Sequence, residues 1–110
     1  MARRLIVNAD DFGFTRDVNL GIVEAHRRGI LTATTLMANG PAFDHAVELA
    51  RDTPALDIGC HLVLVGGRSV AWPGRELPRS VGHLAWQLLP GAAWIEGELA
   101  AQLEKLLAAG

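Results

Sequence analysis

The stretch Arg4-Leu5-Ile6-Val7-Asn8-Ala9-Asp10-Asp11-Phe12-Gly13 sets an apolar, partly β-branched run directly before two adjacent carboxylates and a glycine. Arg4 to Asn8 predicts a short, fully buried strand, since a strand covered on both faces needs no polar alternation. The acids then fall just past its carboxyl end, where ligands gather in parallel α/β folds. Two neighbouring carboxylates repel unless a cation or a shared proton relieves them. Gly13 permits a tight turn that would bring both to one place. A solvated turn whose acids cap the next helix is the plainer alternative.

Working outward, Thr15 is placed to cap a helix running to about Arg28, with Val18, Ile22, Ala25 and His26 on one face and Gly29 as its stop. Leu31 to Met37 predicts a second strand. Pro41 suits the first position of a helix reaching Arg51, and Asp57 to Val65 predicts a third strand. Arg68 to Ser80, with Pro73, Gly74 and Pro78, reads as a loop, followed by a short helix over Ser80 to Leu89. Trp94 to Ala109 carries Ile95, Leu99, Leu103 and Leu106 at helical spacing, the clearest helix signal in the chain. The order β-α-β-α-β-loop-α-α predicts an α/β fold with a parallel sheet and helical crossovers. Three strands leave two open edges, and the chain closes on a helix with no strand after it, so residues 1–110 are expected to be one domain, the first part of a larger one. Open edges also predict self-association into a homo-oligomer.

Composition narrows the function classes. The 110 residues carry 10 Lys+Arg and 12 Asp+Glu, a net charge of −2, with half the residues hydrophobic and a mean hydropathy of +0.23. That is a globular composition with no basic footprint for nucleic acid. The single Cys60 excludes an internal disulfide and favours a reducing compartment. Leu5-Ile6-Val7 is too short for a signal h-region. The uncharged runs Ile30 to Phe43 and Val81 to Ile95 fall below the roughly 18–20 apolar residues of a spanning helix. A cytoplasmic location is expected.

Chemistry-bearing residues are few. His61 is an imidazole within the apolar run around Cys60 and Leu62, and alternation sends Cys60 and His61 to opposite faces. A lone strand histidine is usually a core residue; beside an Asp-Asp turn on an earlier strand it becomes a plausible metal ligand. Carboxylate with neutral imidazole suits zinc or manganese, whereas magnesium prefers more oxygen. His26 and His45 are expected at packing edges, His83 on an apolar face, and Cys60 as core filler. Ser69 does not fit the GxSxG elbow. Trp72, Trp86 and Trp94 are expected in the core or an interface. Asp11-Phe12-Gly13 spells the kinase metal tripeptide, yet nothing before it holds a nucleotide lobe. A receiver-type phosphorylation domain also has paired acids after its first strand, but its acceptor should end the third strand, where this sequence has Gly66-Gly67.

LIVNADDFGFTRDVNLGIVEAHRRGILTATTLMANGPAF, followed by DIGCHLVLVGGRSV, resembles the YdjC-like carbohydrate deacetylases, most closely their hopanoid-biosynthesis-associated (HpnK) branch. The likeness runs from Asn8 to about Val70 and resumes weakly over Glu96 to Gly110, while Ala71 to Trp94 departs from the pattern. It implies the first three β/α units of an incomplete (β/α) barrel of the glycoside hydrolase/deacetylase type. It also implies removal of an acetyl group from an N-acetylated sugar or glycolipid with one divalent metal ion (Mg, Zn or Mn). Asp11 and His61 match metal-ligand positions and Asp10 the catalytic base, though the two aspartates are interchangeable at this level. A further histidine ligand and the catalytic acid are expected beyond Gly110. For the hopanoid branch the substrate would be an acetylglucosaminyl hopanoid lipid. Val81 to Ile95 would then touch that lipid or a membrane surface, against the plainer expectation of a core-packing helix. An inactive barrel fragment acting only through sheet-edge association is the competing reading.

Overall fold

The computed structural model describes residues 1–110. The elements follow in the order β1 (Asn8–Phe12), α1 (Arg16–Arg28), β2 (Ala33–Met37), α2 (Phe43–Arg51), β3 (Asp57–His61), α3 (Val81–Gln87) and α4 (Ala93–Ala109). The three strands are parallel and lie in the order β1-β2-β3. Each strand lies beside its predecessor, as in a barrel. The receiver-type alternative fails on this point, because that fold places its second strand outside the first.

The core lies on one side of the sheet, where Phe12, Leu36 and Leu56 meet Ile22 and Val23 of α1 and Phe43 and Ala46 of α2. Thr15 Oγ1 accepts from the Val18 N–H at 3.1 Å, as the capping pattern requires. Gly29 closes α1, its N–H reaching Ala25 O, and a Cβ there would lie 2.7 Å from that oxygen. On α1 the buried positions are Asn19, Ile22 and Val23; Ala25, expected inside, is exposed.

Several boundaries differ from expectation. β1 begins at Asn8 rather than Arg4, because the register with β2 opens at Asn8↔Ala33. Val7 still bonds Thr32 and Ala33, but Leu5 and Ile6 have no strand to meet and are each 77% exposed. The two acids therefore sit inside the strand. β3 stops at His61, where its partner β2 ends at Met37, and not at Val65. α2 starts at Phe43 rather than Pro41, since Ala42 is drawn into a loop by donating its N–H to Gly13 O at 2.9 Å.

Helix α4 forms where the spacing predicts it, but what it buries is unexpected. Its buried residues are Glu98 and Gln102, while Leu103 is 47% and Leu107 71% exposed. The Gln102 amide donates to Val63 O at 2.7 Å and accepts the Val63 N–H at 2.8 Å. It thereby takes the place of a neighbouring strand just past the end of β3. Burial pushes the Glu98 carboxyl up, but hydrogen bonds from Gln102, Ser69, Val70 and Ala71 outweigh it and hold the group below its ordinary value. The short helix α3 buries no residue, so the core-packing expectation for this segment is also wrong.

Candidate functional site

Asp10 and Asp11 share one face because β1 is not a regular strand. Ala9 pairs with Thr34 and Phe12 with Leu36, so three steps along β1 match two along β2. That is a β-bulge opposite Thr35. Asp11 takes φ +68°, the one non-glycine residue in the left-handed region, a conformation aspartate tolerates better than most. Without the bulge the two carboxylates would alternate across the sheet. Gly13 was expected to do this work; at φ +101° it instead serves the next contact, in which Asn19 clamps the loop.

Buried Asn19 accepts the Gly13 N–H at 2.7 Å and donates to Ala42 O and His45 Nδ1, each at 3.1 Å. It ties the loop after β1 to the loop after β2. The two loops touch so closely that a Cβ on Gly40 would lie 2.2 Å from Gly13 O. This brace fixes the backbone immediately after the two acids.

Across the sheet, His61 reaches the same place from β3. Its Nδ1 lies 3.5 Å from Asp11 Oδ1, 3.3 Å from the Asp11 N–H nitrogen and 3.4 Å from Thr35 Oγ1. Asp10 Oδ1 accepts from Asn8 Nδ2 at 2.8 Å and from Thr35 Oγ1 at 2.9 Å. Asp10, Asp11 and His61 are thus brought together across fifty residues of sequence. Asn8 and Thr35 were not singled out from the sequence, although strand alternation from Asp10 would have indicated Asn8. The face is polar and half-open, opposite the apolar core.

The donor set fits part of a divalent-cation site. One carboxylate and one imidazole suit such an ion, and two ligands about 2.1 Å from one centre lie about 3.0–3.4 Å apart, near the observed 3.5 Å. These two supply fewer than the three protein ligands usual at a catalytic zinc, and no group of three or more His, Cys, Asp or Glu side chains in the chain is arranged to hold a metal ion.

The other sequence candidates stand apart. His26 Nδ1 contacts Leu31 O at 2.7 Å and His45 meets Asn19, both packing roles. His83 is exposed rather than on an apolar face, bonded to the Arg79 N–H and to Gln87. Cys60 is half-buried on the side opposite His61, its thiol pushed up by burial. No helix is long and apolar enough to cross a membrane.

A family model described as YdjC-like protein matches residues 4–110. A solved structure from Enterococcus faecalis V583, of a protein named for cellobiose-phosphate cleavage, is 33% identical with a TM-score of 0.80. The similarity covers 96% of this chain and 44% of that one, so the chain spans less than half of its structural relative. The shared α/β architecture identifies β1 to β3 as the first β/α units of that fold.

Proposed function

The chain belongs to the YdjC-like family, and we propose that it carries the base and two metal ligands of a carbohydrate deacetylase. The observation that carries this reading is the convergence of Asp10, Asp11 and His61 at the bulged end of β1. Asp11 and His61 would hold one divalent ion, with zinc or manganese matching the mixed oxygen and nitrogen donors better than magnesium. Such an ion, when bound, supplies Lewis acidity for an acetamide carbonyl and a more acidic water.

Asp10 is the proton acceptor. Its Oδ1 is engaged by Asn8 and Thr35, which leaves Oδ2 to take the proton of a water attacking the acetyl carbon. Fixing one oxygen orients the other without reorganisation at the moment of transfer. The products are acetate and the free amine of the sugar. The substrate class is an N-acetylated sugar, and the sequence likeness favours an acetylglucosaminyl hopanoid lipid within that class.

Calorimetric titration of the chain with Zn²⁺ or Mn²⁺ tests the ligand assignment. Binding is expected in the wild type and lost in both Asp11→Ala and His61→Ala; equal binding in all three proteins sinks it. Acetate release from an N-acetylglucosamine disaccharide, abolished by Asp10→Asn, tests the base.

The exposed Leu103 and Leu107 on α4, together with the free edge of β3, favour a second reading. There the chain acts by association through its open sheet edge, as a homo-oligomer and without turnover. A monomer at micromolar concentration in sedimentation velocity would remove it.

A further inference from the structure

All three tryptophans of the chain line one open cleft of about 580 Å³, a size within the roughly 300–1,000 Å³ of small-molecule sites. They arrive from three places: Trp72 from the loop after β3, Trp86 from α3 and Trp94 from the first turn of α4. Arg75, Glu76 and Gln87 put polar groups among them. The chemistry assigned to Asp10, Asp11 and His61 makes no use of this cleft. The sequence alone left the tryptophans scattered over 23 positions, between Trp72 and Trp94.

One wall of the cleft is built in advance. A Cβ on Gly97 would lie 3.2 Å from Trp72 Cη2, so the indole packs against bare helix. Glycine inside a helix is unfavourable, and the close approach of Trp72 explains why one stands there. Ser69 Oγ accepts the Trp72 backbone N–H at 3.0 Å, and Ser69 in turn donates to the fully buried Glu98. The backbone that carries Trp72 is therefore pinned to the interior. Trp86 is the opposite case: it is 72% exposed on a helix that buries nothing.

The polar groups decide the ligand class. Trp72, Trp86, Trp94 and Arg75 all line the cleft, and their side-chain N–H donors are left for solvent or a ligand beside flat apolar rings. A lipid tail would leave those donors unmet. A pyranose ring offers an apolar C–H face to an indole and hydroxyl oxygens to the donors around it. From this we infer that the Trp72–Trp86–Trp94 cleft is a saccharide subsite, taking a pyranose ring against its indoles. The sugar class rests on the proposed function, but occupancy of the cleft needs no turnover.

Titration of the 110-residue chain with an N-acetylglucosamine disaccharide, read by tryptophan fluorescence and indole N–H NMR shifts, tests the subsite. Saturable binding is expected, about tenfold weaker in Trp86→Ala and unchanged in Glu24→Gln, at an exposed position of α1. Trp86 is mostly exposed, so its removal spares the fold. Gly97→Val is the second variant, since it drives a side chain into the Trp72 ring and should also weaken binding. Full affinity in both variants overturns the subsite. So does absence of sugar binding, or the same indole shifts produced by phosphatidylcholine vesicles in place of the sugar. Acetate release is scored separately: if it fails while the sugar titration holds, the deacetylase reading falls and the subsite stands.

Discussion

Between Val7 and His61 the backbone is paired by parallel strands and the buried side chains are mostly apolar. Between Leu62 and Gly110 the fully buried side chains include Glu98 and Gln102, while Val81, Trp86 and Leu107 lie in water. The cause is the supply of hydrogen bonds. A ladder satisfies its own N–H and C=O groups, so aliphatic residues can fill the space against it. Past His61 the chain leaves the sheet, and Val63, Val70 and Ala71 need partners that no strand provides. Polar side chains of α4 fill that need, while Leu103 and Leu107 lie exposed and Leu106 and Ala109 pack against the core.

Gly40→Ala should do the most damage, because its new methyl would meet Gly13 O at 2.2 Å where backbone on both sides is fixed. A loss of about 3 kcal/mol or more is expected in urea unfolding. Gln102→Leu comes next and cuts to the heart of the contrast. If α4 followed its apolar pattern, the change would stabilise; with Val63 left unpaired, a loss of about 2–3 kcal/mol is expected.

The Glu98 carboxyl supplies a pH axis. Its value is lower in the folded chain than the about 4.3 expected unfolded. Its stabilisation is therefore complete above that unfolded value and lost as pH falls through the lower folded one. Urea midpoints measured from about pH 6 to pH 3 should decline more steeply in the wild type than in Glu98→Gln; parallel declines would show the carboxylate is not the group responsible. The smallest effect belongs to Leu107→Lys, expected within about 0.5 kcal/mol of wild type. A large loss there would mean α4 is buried on its leucine side after all.

The first region was the readable one. Asp10 and Asp11 stand out as charges at the end of an apolar run, and His61 as an imidazole inside another, so their types single out a candidate site on a parallel sheet. Their common face was not readable, because it depends on one extra residue in β1, and a bulge leaves no mark in a hydrophobicity pattern. Thr35 was hidden for a like reason, since its place beside Asp10 exists only once β2 is laid beside β1; Asn8, two residues before Asp10 on the same strand, was within reach of alternation. In the second region the pattern predicts the helix α4 but not the face it buries. Ile95, Leu99, Leu103 and Leu106 mark the helix, and Leu106 packs against the core, but a face of aliphatic residues does not announce that Glu98 and Gln102 are the ones fully buried. The meeting of Trp72, Trp86 and Trp94 depends on a loop path that spacing does not encode.

The bulge at Asp11 has a consequence for how this position tolerates change. Two independent filters act on one side chain: the left-handed backbone admits Gly, Asn and Asp readily, and the proposed chemistry admits a carboxylate. Saturation of codon 11, sorted first for folded protein and then for metal capture, should therefore give nested survivors: a handful of small or amide residues after the first sort and aspartate after the second. Glutamate, which keeps the charge, should be lost at the first.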